Sequence, residues 1–214
     1  MDIVTGVGVL DKAVRVLRVV AEQPRSLHDL QTTTGLPRAT AHRLAAALEQ
    51  HGLLRRDDDG RFDLGHDLAA LGRMASLRFP LADVARPAIE ALRDETGESV
   101  QLFVRDGDLR RCVVSLQSPH ALRWIVPEGV RFPLDLGSAG RALTGGNRDA
   151  DWVESVEERE AGVASVSAPV LAADGSVVAA ISVSGPIDRL SREPGRRFGA
   201  RVAAAAATIA TALG

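Results

Sequence analysis

The stretch that decides the fold is residues 26–64, SLHDLQTTTGLPRATAHRLAAALEQHGLLRRDDDGRFDL. Ser26 can cap a helix because Asp29 follows three residues later, as in a capping box, and Gly35 ends that helix. Pro37 then suits the first turn of a third helix. Two helices joined by a short turn that contains glycine are typical of a helix-turn-helix.

The segments on either side of these two helices complete a winged domain. Apolar residues recur at helical spacing before Pro24 and predict a first helix whose buried stripe is Leu10, Ala13, Val14, Leu17, Val20 and Ala21. His51 and Gly52 close the third helix, and residues 53–56 and 61–64 flank the turn at 57–60. This pattern predicts a β-hairpin, which is a wing when it follows a helix-turn-helix.

The third helix carries the candidate reading residues. Its apolar face is Ala41, Leu44, Ala45 and Leu48. Arg38, Thr40 and Arg43 lie off that face near the helix start, where they can reach base edges in the major groove. The alternative is a solvated face with ordinary surface arginines. The residues expected to contact double-stranded DNA are Arg38, Ala39, Thr40, His42, Arg43, Arg55, Arg56 and Arg61, the last three through phosphates from the wing strands, because the acidic tip at 57–59 would be repelled.

Composition agrees with a two-domain regulator. The 214 residues have a net charge of −2, but residues 34–56 hold four arginines against one acid, Glu49. Phosphate binding depends on such local charge. No apolar stretch approaches the ~18 residues of a membrane span, and no signal peptide is evident. With a single cysteine, Cys112, expected to be a buried hydrophobe, a cytoplasmic location with no membrane partner is predicted.

The second half predicts an α+β domain. Residues 65–77 form an amphipathic helix with Leu68, Leu71, Met74 and Ala75 inward. Helices are expected at 81–96 and 196–213, and strands at 100–104, 111–116, 163–171 and 177–184. Helices packed on an antiparallel sheet would result. The predicted organisation is a winged helix-turn-helix at 1–65, a linker helix at 66–79 and a sensor domain at 80–214.

Several strings resemble one known family. They are GVLDKA at 8–13, GLPRATAHRL at 35–44, GRFDLG at 60–65, RDETGESVQL at 93–102, EEREAGVASVSAPV at 157–170 and VVAAISVSGP at 177–186. Together they resemble the IclR-type bacterial transcriptional regulators over nearly the whole chain. Within that family, the chain is most similar to actinobacterial members linked to amino-acid metabolism, including leucine biosynthesis. The resemblance implies a GAF-like sensor that binds a small-molecule effector against its sheet.

The resemblance also implies the pocket. The matching positions are Trp124, Phe132, Ser138, Ala139, Ser155, Val163, Ser165, Ser182 and Ser184. Ser138 would open a helix whose free N–H groups suit a carboxylate, and Ser182 and Ser184 share a strand face. A small organic acid or an amino acid is the expected effector. The alternative is that these serines only bond backbone within the sheet, and Ser155 and Ser165 replace the Asp and Cys of many members.

Two further expectations concern assembly and the pocket cover. The resemblance implies a homodimer through the first and linker helices, with a homotetramer possible through the sensor. Residues 144–151 are too few for the one or two helices that members place there, which predicts a shallower cavity, more open to water or closed by a neighbouring subunit. Weak effector binding, or none, is expected in the isolated sensor, with Trp124 and Trp152 near the opening. The alternative is an effector-independent regulator whose sensor serves only oligomerisation.

Catalysis was the other functional class considered. Residues 137–140, GSAG, lack the Gly-x-Ser-x-Gly spacing of a nucleophile elbow, and Gly6-x-Gly8 lacks a third glycine and a preceding strand. His120 has no metal-ligand spacing around it and is expected in an exposed loop. The prediction is therefore no enzyme, no metal and no cofactor. A protein-interaction adaptor would require a third helix without DNA affinity.

Overall fold

The computed structural model describes residues 6–78, 80–145 and 151–214. The chain divides into two compact units, Met1–Arg78 and Phe79–Gly214. The first unit contains α1 (Gly8–Glu22), α2 (Leu27–Thr34), α3 (Arg38–Gln50), β1 (Leu54–Arg56), β2 (Phe62–Leu64) and α4 (His66–Arg78). Its three helices followed by a hairpin are the predicted winged helix-turn-helix.

The core of the first unit is built where α1, α2 and α3 meet the wing. Val16, Val20, Leu30 and Phe62 are among its fully buried residues, and the predicted inner face of α3 is buried as expected. The predicted stripe of α1 is only partly right, because Leu10 and Ala21 are exposed. The observed buried face of α1 is centred near Val16. At about 100° per residue, Leu10 and Ala21 both lie more than 90° around the helix from that centre.

The turn between α2 and α3 follows the sequence signals closely. The Asp29 N–H donates to Ser26 Oγ at 3.2 Å and the Ser26 N–H donates to Asp29 Oδ2 at 3.0 Å, which is a complete capping box. Gly35 ends α2 with a φ of 68°, a left-handed conformation that favours glycine. Pro37 stands at the N-cap of α3, one position before the first turn in which it was predicted.

α4 begins against the wing. The Gly65 N–H donates to the Leu53 carbonyl at 2.9 Å, and the Asp67 N–H donates to the Gly52 carbonyl at 3.1 Å. A Cβ built on Gly65 would lie 2.0 Å from the Gly52 oxygen. Only a residue without a side chain therefore allows this approach, which ties the start of α4 to the wing.

The face of α4 that was predicted to be buried is exposed instead. Leu71 and Met74 are 57% and 53% exposed, Ala75 is exposed and Leu68 is half-buried. The reason is that α4 packs on β1 only near its start and then leaves the core of the first unit. Its apolar stripe has no cover from the described residues of this unit.

The second unit is a six-stranded antiparallel sheet with helices. Its elements are α5 (Leu81–Thr96), β3 (Ser99–Asp106), β4 (Leu109–Leu116), β5 (Arg131–Pro133), α6 (Ser138–Leu143), β6 (Val153–Val156), β7 (Val163–Leu171), β8 (Val177–Pro186), α7 (Ile187–Leu190) and α8 (Pro194–Leu213). The strand order is β5-β4-β3-β8-β7-β6. The predicted α+β class is confirmed, whereas the short β5, β6 and α7 were not predicted.

The central strands are buried on both faces. Along β8, Ile181 and Val183 join the apolar core formed with α5 and α8, whereas Ser182 and Ser184 point to the opposite face. β7 repeats this alternation, with Val166 on the apolar face. The sheet therefore has an apolar face and a second face that carries hydroxyl groups, which we call the polar face.

Removal of the α2 cap should destabilise the first unit. We expect Ser26→Ala to lower the free energy of unfolding by about 1 kcal/mol at neutral pH. Hydrogen bonds from the Ser26 side chain and N–H lower the pKa of Asp29. The contribution of this carboxylate is therefore complete above its ordinary pKa and is lost as pH falls through the lowered one. The difference between wild type and variant should shrink over that acidic range.

Hydrogen exchange of the α2 amides, together with urea unfolding at neutral and acidic pH, would measure this effect. Thr33→Ala is the matched control, because Thr33 is an exposed residue of the same helix. Equal protection of α2 in both variants would contradict a role for the capping box.

Candidate DNA-reading surface and ligand cavity

The outer face of α3 presents unpaired cationic side chains. Arg38, Ala39, His42 and Arg43 are exposed and Thr40 is half-buried. Among the residues that the structure describes, neither Arg38 nor Arg43 has a hydrogen bond or an ion pair. Both guanidinium groups near the start of α3 can therefore contact a ligand without first breaking an internal contact.

The arginines of the wing are engaged differently. Arg55 forms an ion pair with Asp63 across the hairpin. Arg61 pairs with Asp57 at 2.8 Å and with Asp59 at 2.9 Å. The charge of each arginine is thus offset by an acid of the same hairpin.

Arg56 also has partners within the first unit. Its guanidinium carbon lies 3.9 Å from the centre of the Phe62 ring, and its Nη1 donates to the Gly60 carbonyl at 2.8 Å. Glu49 lies 3.5 Å from its Nε. The structure therefore separates the predicted DNA contacts into two free arginines on α3 and three neutralised arginines on the wing.

A β-bulge in β4 shapes the polar face of the sheet. Leu102 of β3 pairs with Val114, but its neighbour Phe103 pairs with Cys112, so Val113 is passed over. The side chains on either side of a bulge change faces. Cys112 consequently joins Phe103 on the polar face, while Val114 remains in the apolar core.

The bulge also places Arg110 in a cavity on the polar face. Arg110 is 2% exposed, and its Nη1 donates to the carbonyls of Pro133 and Leu136. Its guanidinium lies over α6, where a Cβ built on Gly140 would be 2.7 Å from Nη1. Burial and then the charge of Arg159 lower the pKa of Arg110 to about 10.

Serine hydroxyls form a connected network on the same face. Ser138 Oγ lies 2.7 Å from Ser165 Oγ and 2.8 Å from Ser167 Oγ, and Ser167 donates to Ser182 at 2.9 Å. Ser184 donates to Gln101 Oε1 at 2.7 Å. The alternative that these serines bond backbone is therefore wrong, since they bond other side chains.

Most residues predicted to form the pocket meet in this cavity. Those that line it are Trp124, Ser138, Ala139, Ser155, Val163, Ser165, Ser182 and Ser184. Phe132, which was also predicted, is not among the lining residues, but its ring lies 3.9 Å from the guanidinium carbon of Arg159. The sequence analysis missed Gln101, Phe103, Arg110, Glu158 and Arg159, which also line the cavity. For Arg110 the available signal was an arginine spaced two residues from a buried Cys112.

The start of α6 holds a carboxylate of this chain. The Gly137 N–H donates to Glu158 Oε2 at 3.1 Å, and Arg141 binds Glu158 through two contacts of 2.6 and 2.8 Å. The Arg141 contact is the main cause that lowers the pKa of Glu158. One of the N–H groups at which an effector carboxylate was expected, that of the N-cap Gly137, is thus occupied by Glu158.

The cavity is small. Its volume is about 40 Å³, which is only slightly more than the ~30 Å³ that one water occupies in the liquid. Arg110 and Arg159 take up space that would otherwise belong to a ligand. A larger groove of about 990 Å³ is lined by alanines of α8 and bordered by Gly145 and Asp151. Residues 146–150 of the predicted short segment lie outside the described residues, so this groove supports no assignment.

Three individual predictions can be compared with the structure. Cys112 is fully buried, which raises the pKa of its thiol to about 12, and His120 is exposed, so both predictions are confirmed. Trp152, which was predicted near the opening, is not among the residues that line the cavity. Its ring lies on α8, where a Cβ built on Gly199 would be 2.3 Å away, because glycine leaves a flat surface there.

A winged helix-turn-helix with exposed arginines on α3, followed along the chain by an antiparallel α+β unit, is the architecture of a class of DNA-binding transcriptional regulators. Residues 9–58 match the IclR helix-turn-helix domain, and residues 74–151 and 145–211 match the bacterial transcriptional regulator IclR C-terminal domain. The chain belongs to the IclR family of DNA-binding transcriptional regulators.

Individual relatives agree with this membership. The regulator KipR of Bacillus subtilis is 31% identical over 133 residues, which cover 62% of this chain and 53% of KipR. The repressor IclR of Escherichia coli K12 is 24% identical over 245 residues, which cover 96% of this chain and 89% of that protein. These relatives do not support the narrower resemblance to regulators of leucine biosynthesis.

Solved structures share the fold. The IclR protein of Thermotoga maritima has a TM-score of 0.74 at 20% identity, with 97% of this chain and 99% of that chain covered. An IclR homologue of Microbacterium hydrocarbonoxydans, complexed with 4-hydroxybenzoate, has a TM-score of 0.75 at 24% identity, with coverages of 96% and 98%. Within the described ranges of this chain, no helix is long and apolar enough to cross a membrane.

The difference between α3 and the wing leads to a prediction about DNA binding. Arg43→Ala should weaken binding to the specific operator by about 1 to 3 kcal/mol and relax the preference at one or two base pairs, because a free guanidinium on the reading face is removed. Arg55→Ala should weaken binding to all duplexes alike. Its effect should be smaller than that of Arg43→Ala, since Asp63 already offsets its charge.

Fluorescence anisotropy with operator and scrambled duplexes over a range of salt concentrations would separate the two effects. Arg105→Ala, at an exposed arginine of the second unit, is the control for loss of one positive charge. Unchanged operator affinity in the Arg43 variant would show that α3 does not read the sequence.

Proposed function

We propose that this protein binds operator DNA as a dimer or tetramer and that a small organic acid or amino acid modulates its affinity for that DNA. The observation that carries the DNA-binding part is the reading face of α3, where Arg38 and Arg43 have no partner among the described residues. The contacts of Arg38, Ala39, Thr40, His42 and Arg43 with bases, and of Arg55, Arg56 and Arg61 with phosphates, are part of the proposal.

The exposed apolar surface of the first unit supports self-association. Leu71 and Met74 of α4 are more than half exposed, as are Val9 and Leu10 at the start of α1. A contact with another chain would remove these side chains from water. Two copies joined here would carry two reading helices, which fit half-sites ~34 to 36 Å apart or at a multiple of that distance.

The polar cavity supports effector binding. A homologue of the same fold is complexed with 4-hydroxybenzoate, a carboxylate, and the cavity of this chain is lined by arginines and serine hydroxyls. If the effector is an amino acid or a related organic acid, the regulated genes would be genes of amino-acid metabolism, and this regulation is part of the proposal. The second candidate, a regulator without an effector, is favoured by the cavity volume of about 40 Å³.

A direct test combines the two parts. Fragments from around the gene for this protein would be selected by the purified full-length chain, footprinted, and then titrated in the presence of candidate acids. Protection of two half-sites and an acid-dependent change in affinity would support the proposal. Footprints of a single half-site, or an affinity that no acid changes while DNA binding persists, would favour the effector-independent candidate.

The acidic tip of the wing should oppose DNA binding. Asp58 is exposed and has no partner among the residues the structure describes, whereas Asp57 and Asp59 are held by Arg61. Asp58→Asn should therefore raise affinity for any duplex by about two- to fivefold at low salt, and the gain should fade as salt screens the repulsion.

The same anisotropy titrations would measure the gain, with Asp188→Asn as the control at an exposed acid of the second unit. An Asp58 variant that binds no better than wild type at low salt would place the wing tip away from the phosphates.

The apolar stripe of α4 should hold two copies together. Leu71→Glu should raise the dimer dissociation constant by at least about tenfold, because a charge would be buried at the contact. The folding of the single chain should be unaffected, since Leu71 is 57% exposed.

Sedimentation equilibrium would report the association, and far-UV circular dichroism the folding. Ala69→Glu is the matched control, because Ala69 is an exposed residue on the opposite side of α4. If the Leu71 and Ala69 variants associate equally well, the stripe is not the dimer contact.

A further inference from the structure

Two buried donors that line the cavity lack acceptors. Gln101 and Arg110 are 1% and 2% exposed, and neither Gln101 Nε2 nor Arg110 Nε has a hydrogen-bond partner among the residues that the structure describes. An unsatisfied buried donor costs free energy and requires an explanation. Both side chains line the same cavity, so acceptor atoms of a ligand placed there would satisfy them.

The serine network supplies a third donor. Ser167 donates its proton to Ser182. Ser138 must then donate to Ser167, and Ser165 must donate to Ser138, because each hydroxyl has a single proton. This order uses three protons for three contacts and leaves the proton of Ser182, which lines the cavity, free to donate.

A second cation stands beside this group of donors. The guanidinium carbon of Arg159 lies 3.9 Å from the centre of the Phe132 ring and 5.3 Å from that of Trp124. That of Arg110 lies 5.4 Å from the same Phe132 ring. Neither arginine forms an ion pair among the described residues.

The acids near the cavity do not neutralise this charge. Glu158 and Glu160 line the cavity but are exposed. Glu158 is bound to Arg141 and to the Gly137 N–H. The buried interior therefore keeps an excess of donors and positive charge, and like charges close together disfavour each other unless an anion joins them.

We propose that the cavity binds a small dicarboxylate, with one carboxylate on Arg110, Gln101 and Ser182 and the other on Arg159. This inference rests on the proposed role of the cavity as an effector site and narrows the ligand class. A carboxylate has only acceptors, and an arginine binds it through paired hydrogen bonds. An ammonium group would instead bring further donors beside unsatisfied donors, so a dicarboxylate is favoured over an amino acid without an acidic side chain.

The size of the cavity limits how such a ligand could be placed. A volume of about 40 Å³ holds one small polar group beside Arg110. The second carboxylate must then lie toward the half-buried Arg159. Arg159 lies in the stretch after β6, with its guanidinium over the rings of Phe132 and Trp124.

The experiment titrates the full-length protein, in a buffer free of carboxylates and phosphate, with malonate, succinate and glutarate. Propionate, butyrate and succinamide are the matched ligands that lack one or both charges. Calorimetry should show at least one dicarboxylate binding about tenfold more tightly than its monocarboxylate, and no binding of succinamide.

Variants assign the two carboxylates. Arg159→Gln should remove the tenfold preference and leave monocarboxylate binding unchanged, because Arg110 still holds one group. Arg110→Gln should abolish both. Since Arg110 also bonds two carbonyls, its fold must be checked by circular dichroism, and Arg159→Gln keeps the test valid if Arg110→Gln unfolds. Arg105→Gln removes a charge from an exposed site outside the cavity and should behave as wild type.

Three results would overturn the inference: no dicarboxylate binding up to about 10 mM, equal affinity for dicarboxylates and succinamide, or an unchanged preference in Arg159→Gln. Operator binding is measured separately on the same preparations. Dicarboxylate binding without an effect on operator affinity would count against the proposed regulation and leave the site intact. Operator binding that responds to another acid but not to dicarboxylates would support the proposed regulation and count against the dicarboxylate site.

Discussion

The alternation of apolar and hydroxyl side chains along β7 and β8 is the constraint on which the second unit depends. Ile181 and Val183 need the cover of α5 and α8, while Ser182 and Ser184 need polar partners on the opposite face. A sheet buried on both sides cannot leave those hydroxyls unpaired without cost. Ser182 bonds other serines and Ser184 bonds Gln101, and α6 packs over this face with Ser138 as a member of the serine network. The core and the cavity are thus two sides of one strand pair.

In the first unit the corresponding constraint is electrostatic. Arginines are frequent throughout the first unit. The hairpin places acids beside its own arginines, whereas Arg38 and Arg43 of α3 have no acid beside them among the described residues. The overall net charge of −2 conceals this division. The unpaired charge on the outer face of α3 is available to attract phosphates and to make specific contacts. The paired charges of the wing contribute little to either effect.

Local signals in the sequence predicted those elements whose cause is local. The capping box of Ser26 and Asp29 and the bounds of β7 follow from neighbouring residues, and half of the cavity lining follows from the family resemblance. Arg110 was missed because the predicted strand begins at residue 111, whereas β4 begins at Leu109. Even with the longer strand, a two-residue alternation would place Arg110 with Val114 in the apolar core, and only the bulge at Val113 turns it to the polar face. The exposure of Leu71 could not be predicted either, because an amphipathic pattern does not tell which surface will cover it.

The close approach of Gly52 and Gly65 has a mechanical consequence. Because no side chain separates the two backbones and hydrogen bonds join them, the start of α4 and the hairpin turn as one piece. The 13 residues of α4 make an arm of about 20 Å at 1.5 Å per residue. If the C-terminal end of α4 were held and the helix tilted by about 10°, its N-terminal end would move by roughly 3 Å, close to the ~3.4 Å spacing of successive bases. A small change of angle would therefore shift the reading helix by one step of the groove.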